Sequence, residues 1–158
     1  MLTFNFTAKN IRKKLILASA AGLFASSIAI ADDSFESEIE FRQGAMNILS
    51  YNMKNLGAML KGKKPYDAEK VKVHARDIAS VASLDLMSGF PEDSTGEDSS
   101  ALEDIWMDFE NFEAKMMDFK KAAEGMKTAA MSGDKGAVGA AMGDLGKSCK
   151  GCHKPFKN

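Results

Sequence analysis

The stretch from Ile105 to Ala130, I-W-M-D-F-E-N-F-E-A-K-M-M-D-F-K-K-A-A-E-G-M-K-T-A-A, decides the fold. Its apolar residues recur at alternating spacings of four and three, the period of an amphipathic helix with one buried face. They are Ile105, Phe109, Phe112, Met116, Phe119, Ala123, Met126 and Ala130. The helix breakers Ser132-Gly133-Asp134 follow, so the pattern predicts one long amphipathic helix that ends there.

Three further segments share this helical period, and none alternates as a strand does. They run from about Ser37 to Lys61, from about Asp67 to Ser88 and from about Lys135 to Lys154, with Asp67 as a predicted N-cap. Two connections are short, and a longer polar one runs from about Gly89 to Ser100. Together the segments predict an all-α fold, an antiparallel up-down-up-down four-helix bundle.

Residues 1–31 have the layout of a secretory signal peptide. A basic start at Lys9, Arg12, Lys13 and Lys14 precedes the apolar stretch Leu15–Ile30, and Ala29-Ile30-Ala31 is a small-x-small cleavage site. An uncleaved anchor is the alternative, but about 16 apolar residues are short of the roughly 20 that a membrane span needs. We therefore expect cleavage, a periplasmic location and a single mature domain over residues 32–158, with no later membrane span.

The charge of the mature chain argues against nucleic acid as a partner. Four of the 21 basic residues and none of the 22 acidic residues lie in the predicted signal peptide, so 17 Lys+Arg remain against 22 Asp+Glu. Phosphate binding needs a basic footprint, which a mature net charge of −5 does not supply.

The sequence C-K-G-C-H, from Cys149 to His153, is the attachment motif of c-type haem. On a helix the three side chains at i, i+3 and i+4 project to one side. Two thiols can then add to two vinyl groups at one edge of the porphyrin, while the imidazole ligates the iron. The motif predicts one covalent haem c at Cys149 and Cys152 and His153 as axial ligand.

Other uses of these cysteines remain as alternatives. A zinc site needs about four N, S or O ligands, and His74 is the one further imidazole. A thioredoxin-like pair needs a βαβ setting, and none is visible. A helical module that binds partners and uses the thiols only for redox chemistry would carry no haem.

The first helical segment carries a second candidate cluster at Arg42, Gln43 and Met46. Arg42 falls where the heptad asks for an apolar residue, and a buried guanidinium needs an anionic partner, which a haem propionate would supply. Gln43 is a neutral donor beside it, and the alternative is that Arg42 snorkels to solvent. Met46, one turn on, either approaches the iron opposite His153 or only packs in the core.

Glycines recur along the last segment at Gly136, Gly139, Gly143 and Gly146. Each interior glycine costs about 0.5–1 kcal/mol relative to alanine. Close approach of another helix or of the porphyrin edge would explain that cost.

In several of these motifs, the chain resembles the cytochrome c′ family, the class II c-type cytochromes. The marks are R-Q-G-A-M at Arg42–Met46, K-G-K-K-P-Y-D-A at Lys61–Ala68, I-W at Ile105–Trp106 and C-K-G-C-H near the C-terminus. The resemblance covers essentially residues 36–158 and implies a four-helix haem domain that often forms a homodimer through its first two helices.

The resemblance also implies roles for single residues. Arg42 and Gln43 match positions near the haem propionates, Met46 matches the residue that hinders the sixth iron position, and Glu103 matches a haem-edge segment. In most members that iron position is empty, and the high-spin haem binds nitric oxide or carbon monoxide. Lys157 departs from the pattern, because many members have arginine there and lysine lacks its planar fork.

The resemblance therefore favours a carrier of electrons, or a binder of small gases, with five-coordinate haem and unknown periplasmic redox partners. The alternative is a low-spin carrier with Met46 as sixth ligand. A haem enzyme such as a peroxidase needs a polar distal acid or base, which Met46 and its apolar neighbours do not offer.

Overall fold

The computed structural model describes residues 35–96 and 98–158, and this part of the chain is helical. The helices are α1 (Glu36–Leu60), α2 (Ala68–Ala82), α3 (Asp104–Met107), α4 (Phe109–Ser132) and α5 (Lys135–Phe156), with a 3₁₀ turn at Leu86–Gly89. The four long helices α1, α2, α4 and α5 form the antiparallel bundle, which confirms the predicted fold class. Within the described ranges the one β-type pairing is a bridge between Ala101 and Lys157.

The predicted signal peptide, residues 1–31, lies outside the described residues. In the part of the chain that is described, no helix combines the length and the apolar character needed to cross a bilayer.

Side-chain caps begin two of the long helices. Asp67 accepts hydrogen bonds at 3.1 Å from the backbone N–H groups of Glu69 and Lys70, as the sequence predicts for an N-cap. Asp134 does the same at α5, accepting from Gly136 at 2.6 Å and Ala137 at 3.0 Å. Gly133 ends α4 with a φ of 73°, a left-handed conformation that glycine adopts without steric cost.

The long helix predicted from Ile105 to Ala130 is wrong at its start, because the chain breaks between α3 and α4. Asp108 takes φ −133° and ψ 53°, outside the helical region, and its carboxylate accepts a hydrogen bond from the Asn111 side chain at 2.9 Å. Such local side-chain bonds compete with helix propagation. The break shifts the helical phase, so Phe109 is 42% exposed although the pattern assigns it to the core.

Two other predicted boundaries also move. The second segment ends at Ala82 rather than near Ser88, and the 3₁₀ turn replaces its last residues. The last segment continues past Lys154 to Phe156, with Pro155 in its final turn. Phe156 is 3% exposed, so burial of its ring favours this extra turn.

The glycines of α5 do not mark a helix contact. A Cβ built at Gly139, Gly143 or Gly146 would meet no heavy atom of the described chain within 4 Å. The predicted close approach of another helix is therefore wrong.

The core has two parts. The larger joins all four long helices around residues such as Leu56, Ile78 and Met126, which are fully buried. The smaller consists of Phe90, Ile105, Phe112 and Phe156, at the end of the bundle where α5 finishes. Helices α4 and α5 pack closely, whereas α1 and α5 meet sparsely. The gap between α1 and α5 positions the site.

Candidate functional site

A cleft of about 350 Å³ lies between α1 and α5, with its lining predominantly apolar. Helices α3 and α4, the connection from Phe90 to Ala101 and Lys157 supply its remaining walls. Five of the predicted site residues line it: Arg42, Gln43 and Met46 from α1, and Cys152 and His153 from α5. The structure thus brings together two motifs that are more than 100 positions apart in the sequence.

The attachment motif lies on the last turns of α5. Cys149 is half-buried and packs against the larger core rather than lining the cleft, whereas half-buried Cys152 packs against the smaller aromatic cluster. The two thiols form no disulfide. They are one helical turn apart, the spacing that attachment to a single porphyrin edge requires.

Burial sets the chemistry of both thiols. It raises the pKa of Cys149, and it raises the pKa of Cys152 to about 11, with neighbouring Cys149 adding to the effect. Both groups are therefore protonated at neutral pH, and a thiol is a far poorer nucleophile than a thiolate. This environment argues against a thioredoxin-like redox pair, whose reactive cysteine needs a lowered pKa.

His153 is exposed at the cleft mouth. Partial burial of the ring, with a smaller effect from Lys157, lowers the pKa of His153. The neutral imidazole, which is the form that ligates a metal, therefore predominates at neutral pH.

Arg42 is 4% exposed and points into the protein, so the snorkelling alternative is wrong. Its Nη1 donates to the Gly89 carbonyl at 2.8 Å and to Ser94 Oγ at 2.7 Å. Its Nη2 donates to the Ser94 carbonyl and to Ser99 Oγ. The guanidinium carbon also lies 5.0 Å from the centroid of the Phe90 ring, a cation–π contact.

These partners of Arg42 are all neutral, and among residues 35–96 and 98–158 it makes no ion pair with a carboxylate. Burial accordingly lowers the pKa of Arg42. A buried cation on a cleft wall is stabilised most by an anion, because neutral partners repay only part of its lost hydration. The site therefore fits a ligand that is mostly apolar and carries a carboxylate, as haem does.

The remaining predicted residues are less buried than Arg42, and not all of them line the cleft. Gln43 is exposed and its side-chain N–H donates to the Asp98 carbonyl. Met46 is half-buried and packs against the larger core while it lines the cleft. Glu103 is exposed immediately before α3 and is not a lining residue, so its haem-edge role stays a prediction.

The cleft wall contains features that the sequence patterns do not reveal. Residues Ser94 and Ser99, which hold Arg42, belong to a loop without periodicity. The C-terminal residues are joined to the same loop, because Leu102 N–H donates to the Phe156 carbonyl at 3.1 Å and Asn158 N–H donates to the Ser100 carbonyl at 3.0 Å. The loop therefore connects the buried arginine of α1 to the end of the helix that carries His153.

Comparisons with known proteins agree with this geometry. Residues 37–157 match the family model described as Cytochrome C′. A cytochrome c′ of Cereibacter sphaeroides is 33% identical over 150 residues, covering 93% of this chain and 98% of the relative. The structure of cytochrome c′ from Shewanella frigidimarina aligns with a TM-score of 0.76 at 38% identity, over 80% of this chain and 98% of that one.

Two other structures bear on ligands and assembly. A nitric oxide complex of a mutant cytochrome c′ from Alcaligenes xylosoxidans aligns with a TM-score of 0.72 at 28% identity, over 80% of this chain and 98% of that one. A cytochrome c′ described as having ligand-controlled dimer dissociation aligns with a TM-score of 0.73 at 26% identity, over 78% of this chain and 96% of that one.

Proposed function

Because the chain belongs to the cytochrome c′ family, we propose that it is a periplasmic cytochrome that carries electrons or binds nitric oxide or carbon monoxide. The family binds one covalently attached haem c, and this chain contains the two cysteines for the attachment. The observation that supports the proposal most is the cleft in which Cys152 and His153 of α5 face Arg42 and Met46 of α1.

The proposal assigns a role to each cleft residue. The haem supplies the redox-active, gas-binding iron, and the chain holds and shields it. Cys149 and Cys152 would hold the haem covalently, because each S–H group would add across one vinyl double bond and no atom would be lost. Neutral His153 would ligate the iron, and the buried cation of Arg42 would pair with a propionate.

Met46 decides between the two versions of this function. In the favoured version its side chain only crowds the sixth iron position, which stays open to small gases. In the alternative its thioether is the sixth ligand, and the haem serves electron transfer alone. The half-buried position of Met46 in the cleft is compatible with either role.

Carrier or gas-binding function is favoured over enzymatic turnover by the chemistry of the cleft wall. Its titratable lining residues are Arg42, Cys152, His153 and Lys157. Two of these are the proposed attachment and ligand residues, and the other two are cations. Peroxidase chemistry needs a group that takes up and returns a proton beside the iron, and neither cation is suited to that task.

Spectra of the exported protein test the function. We propose producing the full chain in a host that matures c-type cytochromes and recording ferrous spectra with and without carbon monoxide. An open sixth position gives a high-spin spectrum that changes when the gas is added. A Met46-ligated haem gives a low-spin spectrum that carbon monoxide leaves unchanged, which would replace the favoured version by its alternative. A colourless product would contradict both versions of the proposed function.

Two variants make that test specific to Met46. Met46→Leu removes the thioether but keeps an apolar side chain, and Met117→Leu is the matched control, because Met117 is 62% exposed and does not line the cleft. If the sixth position is open, neither variant changes the spin state. If Met46 ligates the iron, only Met46→Leu creates a carbon monoxide-binding, high-spin protein.

Export is part of the proposal and has its own test. Cleavage after Ala31 would leave Asp32 as the first residue of the mature chain. N-terminal sequencing of the protein from the periplasmic fraction should therefore begin at Asp-Asp-Ser. A chain that retains residues 1–31 in the membrane fraction would instead support the anchor alternative.

We also propose that the chain forms a homodimer through α1 and α2. Outward-facing apolar side chains support this, because Phe41, Ile48 and Tyr51 of α1 and Val73 of α2 are 38–64% exposed. Burying such residues against a second copy removes apolar surface from water. Ile48→Glu should shift the mass measured by sedimentation from dimer to monomer, while Met131→Glu, at another exposed apolar residue, should not.

A further inference from the structure

The charges of the protein are distributed unevenly along the chain. Residues 135–158, which form α5 and the C-terminus, contain five lysines and one aspartate. Residues 32–134 contain 12 basic and 21 acidic residues. This C-terminal segment, with a net charge of +4, therefore belongs to an otherwise acidic domain with a net charge of −9.

Three of these lysines share the outer face of α5. Lys147, Lys150 and Lys154 lie at i, i+3 and i+7, which places them on one side of a helix, and all three are exposed. Lys147 pairs with Asp144 at 3.0 Å. Lys150 and Lys154 make no ion pair within the described ranges, so their charges are available to a partner.

The opposite side of the same turns carries the site. Leu145, Cys149, Cys152 and Phe156 follow 4-3-4 spacing and are buried or half-buried. An α-helix with its side chains is about 10–12 Å across. The lysine face is therefore about one helix diameter from the attachment cysteines, and Lys150 lies inside the C-K-G-C-H motif itself.

The outer face of α5 also has low relief. Gly139, Gly143 and Gly151 have no neighbouring heavy atom within 4 Å of a built Cβ, and all three are exposed. A partner can therefore approach the helix backbone closely between the lysine side chains. Two further lysines add positive charge around the same turns of α5. The charge of Lys115 acts to lower the pKa of Cys152, and the charge of Lys157 acts to lower the pKa of His153.

We propose that the outer face of α5, defined by Lys147, Lys150 and Lys154, is the docking surface for an acidic redox protein. This inference rests on the proposed haem-carrier function. One electron passes between the partner's redox centre and the haem, so that one centre is oxidised while the other is reduced and no atom is transferred. Complementary charge would raise the association rate and orient the partner over the attachment turn.

A compact protein partner fits this surface better than an anionic membrane or an extended polyanion. The lysine face spans only about two turns, and the remaining mature chain is strongly acidic. A bilayer or long polymer of phosphates would contact that acidic remainder and be repelled by it. An acidic patch of matching size on a folded protein would contact the lysines alone.

The test uses the haem-loaded full chain and a triple variant, Lys147→Gln, Lys150→Gln and Lys154→Gln. The matched control is Lys54→Gln, Lys61→Gln and Lys63→Gln, which neutralises three exposed lysines at the end of α1, the opposite end of the bundle. Stopped-flow measurements follow oxidation of the ferrous protein by anionic ferricyanide and by cationic tris(phenanthroline)cobalt(III). Binding of a short oligoglutamate peptide, which has the size of the lysine face, and of phosphatidylglycerol vesicles is measured separately.

At about 10 mM ionic strength, where the Debye length is about 30 Å, the triple variant should slow the ferricyanide reaction about tenfold. It should accelerate the cobalt reaction and weaken binding of the oligoglutamate peptide. The control variant should have a much smaller effect on all three measurements. Equal effects of the two variants, no dependence on salt, or tight vesicle binding would overturn the docking proposal. A protein that reacts with neither oxidant would instead overturn the proposed haem function, while binding of the oligoglutamate peptide would still report on the lysine face.

Discussion

Replacing Arg42 by methionine should destabilise the connection that closes the cleft. The substitution keeps most of the apolar stem and removes the guanidinium. It leaves the Gly89 carbonyl and both oxygens of Ser94 without their donor, and Ser94 is fully buried. Each buried acceptor left unsatisfied costs about 1–3 kcal/mol.

The expected total follows from that geometry. Four hydrogen bonds are lost together, but they share one donor group and their energies are not additive. The desolvation of Arg42 also disappears, which offsets part of the loss. We therefore expect the free energy of unfolding of the haem-loaded protein to fall by about 3–5 kcal/mol, the lower part of the range that three unsatisfied buried acceptors would give.

Urea unfolding followed by circular dichroism measures the total, and hydrogen exchange shows where the effect lies. Amides in residues 89–102 should lose protection before those of α2. Arg76→Met is the matched control, because Arg76 is exposed and, among the described residues, forms an ion pair with its neighbour Asp77 alone. Its effect should therefore stay within about 0.5 kcal/mol. A loss below about 1 kcal/mol for Arg42→Met, with unchanged exchange in the loop, would refute the reasoning.

Three further predictions concern the bundle. Gly143→Ala should stabilise the protein by about 0.5–1 kcal/mol in urea unfolding, because the new Cβ meets open space; a destabilisation would mean that something covers this face. Asp134→Ala should cost about 0.5–2 kcal/mol in the same assay, through loss of the N-cap of α5; no change would show that the cap is dispensable. Burial lowers the pKa of His74, whose Nδ1 lies 2.7 Å from Asn52 Oδ1. The imidazole therefore binds a proton more readily in the unfolded chain than in the folded one, and the free energy of unfolding should fall as pH drops through 6.5. His74→Gln should flatten the dependence of Tm on pH in that window, and an unchanged slope would exclude His74 as its source.

The helices could be predicted largely because they pack through one face each. The 3.6-residue period sets the positions of the four long helices, and the caps Asp67 and Asp134 act through side chains next to the amides that they bind. The break at Asp108 could not be predicted in the same way. Its neighbours keep a helical spacing on both sides, and only the backbone conformation of one residue changes the phase.

The site residues show the same difference between helical positions, which could be predicted, and loop positions, which could not. Cys152, His153, Arg42 and Met46 lie on helices, so their positions on a face follow from their spacing, and all four line the cleft. Their roles toward haem remain predictions. The loop around Ser94 has no period, and its position depends on tertiary contacts to α1 and to the C-terminus, which local sequence does not encode.

The covalent bond between this chain and haem is tested most directly by the mass of the peptide that contains Cys149–His153. Protein purified from the periplasm of a maturation-competent host is denatured, extracted with acidified acetone to remove non-covalent haem, digested and weighed. The account predicts that this peptide carries the mass of one haem, and that the haem-free peptide appears only when both cysteines are replaced by serine. An unmodified peptide with two free thiols, from cells that mature other c-type cytochromes, would contradict it.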